Sequence, residues 1–198
     1  MGTEVVFWIF EVGGKFIGIA KRGELLYCNT IPLGSEGEAE EDLASNCRGA
    51  WGALRMVRGR IEDEALAREI YSLYSGEPRS SLRVNFAIHP NKRFQDALKM
   101  MSLIPRGVFT TYGELARALN TSPRVIGSYA ARNPYPLLIP CHRIVRGDMG
   151  VGGYGYGTEL KARLLMMEGV EVDLKSMRVN PDKLIRAEGL IALGRCVH

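Results

Sequence analysis

The chain has 198 residues, 46% of them apolar and 24% charged, proportions that allow a buried core and exclude a disordered or fibrous polymer. No stretch nears eighteen uninterrupted apolar residues, and the opening Met-Gly-Thr-Glu carries no basic run followed by an apolar one; a membrane span and a secretory leader are both excluded, so a soluble protein of the cytoplasm, or the nucleus in a eukaryote, is expected. The formal charge of +4 is unevenly placed: residues 1–92 hold 11 Lys/Arg against 13 Asp/Glu and residues 93–198 hold 15 against 9, so a polyanionic partner belongs to the second half.

Taken in chain order, residues 4–12, 16–20 and 25–33 are β-branched and aromatic runs parted by Gly13-Gly14 and Lys21-Arg-Gly23, the pattern of an antiparallel hairpin series. Residues 38–56 change to a helical spacing (Leu43, Cys47, Trp51, Leu54), and a second helix over 64–74 places Leu66, Ile70, Leu73 and Tyr74 on one face. A small α+β domain over 1–80 follows, then a polar Gly/Pro/Ser connection with 81–92 as the connecting segment. Beyond it Phe94, Ala97, Leu98 and Met101 line a helix that Ile104-Pro-Arg-Gly107 stops. Residues 112–119 and 123–132 then form two short helices around a polar turn, with Ser122 as N-cap and Pro123 at the first helical position, which is the helix-turn-helix pattern. The second of these is narrow at Gly127, Ala130 and Ala131, with Arg124 near its start. Close packing against a neighbour or close approach to a DNA groove would each explain so small a face.

Cys28, Cys47, Cys141 and Cys196 show no Cys-x-x-Cys spacing, so reduced thiols and no metal are expected; a Cys28–Cys47 or Cys47–Cys196 bridge is the alternative for a hyperthermophilic source. His89 and His198 read as surface or core histidines without a chemical role. Cys141 differs from the others. Pro140 and Asn133-Pro-Tyr-Pro136 force its loop to turn, and His142 follows at once, able to take the thiol proton and leave the nucleophilic thiolate. Adjacent side chains of an extended segment diverge, so the pair needs a bend at Pro140 or a bridging water. The segment 158–168 is a helix that Gly169 ends, with Leu160, Leu164 and Leu165 inward; Glu168 in its last turn opposes the helix dipole and is the candidate to orient His142. Between them lies "GVGGYGYG", residues 150–157, a closely approached wall with Tyr154 and Tyr156 available to stack on a flat ligand.

Together Tyr112-Gly-Glu-Leu-Ala116, Ser122-Pro-Arg124, Gly127, Asn133-Pro134, Ile139-Pro-Cys-His-Arg-Ile-Val145, Gly152-Gly-Tyr154 and Leu164-Leu165 to Glu168-Gly169 resemble the O6-alkylguanine-DNA alkyltransferases in order and spacing from about residue 104 to 169. The resemblance implies a suicidal repair protein that flips an O6-alkylated guanine out of duplex DNA and keeps the alkyl group on its own cysteine, with no cofactor or metal. By position it implies Cys141 as acceptor, His142 and Glu168 as a relay through a water, and Asn133 as the brace of the turn. Tyr112 would rotate the phosphate and protonate the departing oxygen, Arg124 would fill the gap left by the base, and Tyr154, Gly155 and Tyr156 would line the base pocket. The partner is duplex DNA entered from the minor groove by Gly127, Ala130 and Ala131, and the protein is a monomer without a membrane partner. The implied fold is α+β: a ribonuclease H-like N-terminal domain, and over 93–172 a winged-helix-like domain with the helix-turn-helix.

Three departures stand out. Tyr156 and Thr158 replace the smaller or apolar residues frequent in the family. Residues 173–198 form an extension, in which Leu184, Ile185, Leu190 and Ile191 suggest an amphipathic helix. No cysteine cluster matches the zinc site of some relatives' N-terminal domain. A Cys-His hydrolase needs an oxyanion hole that the sequence does not present, and a plain helix-turn-helix regulator leaves Pro-Cys-His-Arg unexplained.

Overall fold

In a computed structural model, residues 3–60 and 64–195 are described; Cys196 and His198, and with them a Cys47–Cys196 pairing, lie outside these residues. The chain divides into two compact units, Met1–Pro90 with Arg132–Leu138, and Asn91–Ala131 with residues 139–198. Both mix helices with sheet, as the α+β expectation requires.

The first unit holds a five-stranded sheet built on β1 (Glu4–Val12), β2 (Lys15–Arg22), β3 (Leu25–Asn29), β4 (Arg55–Arg58) and β5 (Asn85–Phe86), in the order β4-β1-β2-β3-β5. β1 and β2 pair antiparallel from Val6↔Lys21 to Val12↔Lys15 through Gly13 and Gly14, both at positive φ, as a two-residue primed turn requires. The expected hairpin series is therefore present, but the outer strands are parallel, β4 to β1 and β5 to β3. Helix α1 (Glu36–Trp51) starts at Ser35, whose side chain accepts from the Glu38 N–H, and stops at Gly52 with φ 76°, so the helix expected to run to residue 56 ends earlier and residues 55–58 become an edge strand. It packs on the sheet through Ala39, Leu43 and Cys47. Gly18 permits this approach, since a Cβ there would lie 3.1 Å from the Ala39 carbonyl oxygen. Helix α2 (Ala65–Tyr74) follows its expected bounds.

The expectation of reduced thiols is corrected at one pair. Cys28 on β3 and Cys47 on α1 form a disulfide, their Cα atoms 5.7 Å apart inside a buried apolar cluster with Val5, Phe7, Ala20 and Leu43. Spacing alone could not show that α1 folds back across β3 to bring the two within bridging range. A loop of this length contributes about 3 kcal/mol by restricting the unfolded chain. His89 is structural, its Nε2 2.9 Å from the Ala50 carbonyl oxygen and its ring 5.0 Å from Trp51.

The linear division at 80, 92 and 172 also changes. β5 lies inside the segment read as connecting, and Arg132–Leu138 returns to the first unit: the Asn29 N–H donates to Pro134 O at 2.9 Å, Asn29 Nδ2 to Pro136 O at 3.0 Å, and the Tyr135 hydroxyl to Ala87 O at 3.3 Å.

The second unit begins with α3 (Lys92–Ser102), capped by Asn91 and burying the expected face of Phe94, Ala97, Leu98 and Met101. β6 (Thr110–Thr111) runs directly into α4 (Tyr112–Ala118), and α5 (Pro123–Ala131) follows a short turn in which Asn120 takes a positive φ. β7 (Ile144–Val145) pairs parallel with β6, and α6 (Thr158–Met167) packs Ala162 and Leu165 into a cluster with Phe109, Val145, Val151, Val170 and Val179. The extension is part of this unit. Its hairpin, β8 (Val172–Asp173) with β9 (Arg178–Val179), pairs with residues 149–151; Leu184 bridges Phe109, and α7 (Ala187–Arg195) has its Ala187 N–H held by the Glu114 carboxylate at 2.9 Å. The predicted amphipathic helix is thus α7, with Leu190 buried, while Leu184 and Ile185 precede it as an extended strap. No helix among the described residues is long and apolar enough to cross a membrane.

Candidate active site

Pro140, at φ −81° and ψ 65°, makes the bend that the sequence required: the Cys141 N–H donates to Ile139 O at 2.9 Å, an inverse γ-turn, and a 3-10 turn over Cys141–Arg143 follows. Cys141 and His142 are therefore not on opposite faces of a strand. Cys141 is a thiol, 7% exposed, and opens on a cavity of about 370 Å³ lined by Tyr112, Gly127, Ala130, Ala131, Gly153, Tyr154 and Gly155. That volume is at the small end of ligand sites, which run from about 300 to 1,000 Å³.

His142 is almost fully buried, and its Nε2 lies 3.0 Å from Glu168 Oε1. Burial pushes its pKa below the ordinary histidine value, with the Glu168 hydrogen bond and charge opposing. The ring is therefore neutral near pH 7. With Nε2–H donating to the carboxylate, Nδ1 carries the lone pair, and it has no hydrogen-bond partner among the described residues. Glu168 sits in the last helical turn, as expected, followed by Gly169 at φ 86° in a Schellman arrangement closed by Val170 N–H to Leu165 O. Burial works to raise the Glu168 carboxyl, but His142 and Arg143 outweigh it and hold it at about 2. Arg143 makes a two-pronged contact, Nε to Oε2 and Nη2 to Oε1, both at 2.7 Å, and its Nη1 donates to Ile104 O at 2.6 Å. A second guanidinium, Arg106, stands 4.0 Å away. These cations offset the unfavourable end of the helix dipole.

Tyr112 is the first residue of α4, set there by Thr111, whose hydroxyl caps the helix at Glu114 N–H. Burial first, and the nearby Cys141 sulfur second, raise its pKa, so its hydroxyl keeps its proton. Arg124 is exposed and lines a separate open groove with Tyr112, Pro123, Gly127, Arg146 and Asp148. A Cβ built on Gly127 would meet nothing within 4 Å, so close packing does not explain the glycine at this position of α5. Gly127→Ala is accordingly expected to stabilise the fold by roughly 0.5–1 kcal/mol, the intrinsic preference for alanine in a helix. Thermal melts read the gain; a lower melting temperature would refute open space at this position.

Tyr156 is not among the residues lining the Cys141 cavity; its ring packs edge-on against Tyr154 at 5.6 Å. Asn133 belongs to the first unit, where its Oδ1 accepts from Tyr135 N–H at 3.0 Å and folds the turn that precedes Cys141 in the chain. Sequence reasoning missed two residues. Arg143 lay inside the Pro-Cys-His-Arg run without a stated role. Lys161 is fully buried: its Nζ donates to Gly153 O at 3.3 Å, lies 5.6 Å from the Tyr112 ring centre, and is lowered by burial to about 8. The signal was available, because residues 161, 164, 165 and 168 form one helical stripe and a lysine occupies a position reserved for the core.

A family model described as "6-O-methylguanine DNA methyltransferase, DNA binding domain" matches residues 92–170. A methylated-DNA–protein-cysteine methyltransferase of Methanocaldococcus vulcanius is 32% identical over 176 residues, 84% of this chain and 99% of its own. Among solved structures, the O6-methylguanine-DNA methyltransferase of Pyrococcus kodakaraensis is similar with a TM-score of 0.64 at 27% identity, covering 84% of this chain and 99% of that one. An O6-methylguanine DNA methyltransferase of Methanococcus jannaschii gives 0.59 at 32% identity, covering 84% and 95%.

Proposed function

The chain belongs to the methylated-DNA–protein-cysteine methyltransferase family, and from that premise we propose that it repairs O6-alkylguanine in duplex DNA by moving the alkyl group, once and irreversibly, to Cys141. The observation that carries this reading is the buried thiol at the wall of a cavity whose other sides are the narrow helix α5 and the Gly153–Gly155 loop. Duplex DNA hides a base inside its stack, so the target nucleotide must turn out to reach such a wall. Entry from the minor groove suits Gly127, Ala130 and Ala131, and Arg124, exposed at the start of α5, would occupy the gap left in the stack.

In the reaction the thiol proton passes through a water to His142 Nδ1, and Glu168 stabilises the imidazolium that forms. The sulfur attacks the sp³ carbon in line as the carbon–oxygen bond breaks. Tyr112, kept protonated by burial, donates to the departing guanine oxygen. The thioether is not reopened by any of these groups, so one molecule acts once. Asn133 braces the turn ahead of the cysteine, and Tyr154 and Gly155 bound the base. The antiparallel β1–β2–β3 core with β4 parallel to β1 supports a ribonuclease H-like first unit, and α4–turn–α5 beside paired short strands supports a winged-helix-like second one. The protein acts as a monomer on cytoplasmic or nuclear DNA.

The test is a duplex bearing radiolabelled O6-methylguanine: one label per chain, on Cys141, is expected, and repeated turnover or label elsewhere would overturn the reading. Arg124→Ala should slow repair of the duplex on the order of tenfold or more while sparing a free alkylated base, since only the duplex leaves a gap to fill. Equal losses on both substrates would remove that role.

A further inference from the structure

The extension carries cations that the alkyl-transfer chemistry does not use. Arg178 on β9 forms an antiparallel bridge with Gly150; the Val151 N–H donates to Met177 O at 2.8 Å and the Val179 N–H to Met149 O at 2.9 Å. The hairpin is thereby fixed, backbone to backbone, to the segment that leads into the Gly153–Gly155 wall. Arg146 belongs to two concavities at once. It lines the groove that holds Tyr112, Arg124 and Gly127, and also a cleft of about 360 Å³ with Asp148, Thr158, Ser176 and Arg178. The path from the start of α5 to the hairpin is therefore continuous.

Asp148 spaces the two guanidiniums along this path. It pairs with Arg146 at 2.9 Å, and its carboxyl is held low first by the Gly150 N–H, then by the charges of Arg146 and Arg178. One carboxylate against two guanidiniums leaves the cleft net positive. Both arginines are exposed, and Arg178 stands on paired backbone, so ordering it against a ligand costs little main-chain entropy. A planar guanidinium suits a phosphate oxygen pair.

We infer that the hairpin of the extension lengthens the duplex-binding surface, with Arg178 contacting a backbone phosphate beyond those reached from α5. The inference rests on the DNA-repair reading above. It also lies outside the shared domain, because the matched family region ends at residue 170. The contact is sequence-independent and adds one released counterion to binding.

The experiment measures the affinity of the full chain for one fixed unmodified duplex across a salt series, for the wild type, Arg178→Gln, Arg178→Lys and Lys99→Gln, the last an exposed cation of α3 that lines neither groove. Arg178→Gln should weaken binding on the order of tenfold at low salt and flatten the plot of log affinity against log salt by about one. Arg178→Lys and Lys99→Gln should keep the wild-type slope. Transfer from a free benzylated guanine should be unchanged in all four, which reports an intact cavity. A wild-type slope for Arg178→Gln, or an equal loss in Lys99→Gln, overturns the inference while leaving repair standing. A wild type that binds no duplex sinks both readings.

Discussion

Cys141→Ala is expected to abolish alkyl transfer outright, with no adduct in the intact mass after exposure to either a methylated duplex or a free benzylated guanine. The loss is total because no other group at the cavity can take the carbon. Tyr112 keeps its proton, and Lys161, lowered to about 8, still spends its ammonium on the Gly153 carbonyl. Duplex binding should survive. The substitution removes a single small, 7% exposed side chain from a cavity wall, and Cys141 does not line the groove that holds Arg124. A change below about 1 kcal/mol, under tenfold in Kd, is expected. The substitution separates chemistry from recognition, so adduct formation that persisted in Cys141→Ala would move the nucleophile elsewhere.

How much of this could be read from the chain depends on how local each feature is. Gly13-Gly14, the Ser122-Pro123 start and the Gly169 stop are set by backbone preferences of a few residues, and all three stand where the sequence put them. So does Glu168, whose unfavourable place at a helix end was the clue to a partner. The features that escaped depend on distant pairing. The helical spacing of α1 continues in the sequence to residue 56, but Gly52 and the free edge of β1 turn residues 55–58 into a strand. Arg132–Leu138 reads as a turning loop of the second domain because of its prolines, yet its carbonyls satisfy Asn29, 107 positions away at Pro136. The Cys28–Cys47 bridge likewise depends on how α1 crosses the sheet. Lys161 escaped for a different reason: the apolar stripe of α6 is legible from its leucines, and a lysine on the same face gains a role only where its ammonium meets the Gly153 carbonyl.

Glu168→Gln is expected to cost both stability and rate, by separable routes. The carboxylate is the counter-charge of Arg143, whose side chain is 11% exposed and has its remaining prong committed to Ile104 O. Removing the charge leaves that guanidinium buried without compensation, a loss of about 3–5 kcal/mol. The linkage sign follows from the depressed folded value of about 2 against the ordinary 4.5: the stabilisation is complete above about 4.5 and is lost as pH falls from there toward 2. His142, held below its ordinary 6.5 by burial, works in the same direction, because the unfolded chain takes up a proton that the folded chain refuses as pH falls below that value. Wild-type urea midpoints should therefore decline from pH 7 downward. Glu168→Gln should start lower and lack the portion of the decline between about 4.5 and 2. The amide oxygen of glutamine can still accept from Nε2–H and preserve the tautomer, but it cannot stabilise an imidazolium. Alkyl transfer should accordingly fall on the order of 10²–10⁴-fold at a temperature where circular dichroism shows the variant folded, with the dependence of the rate on pH altered. A folded variant with a wild-type rate and an unchanged pH profile would reduce Glu168 to a purely structural anchor and leave His142 acting without it.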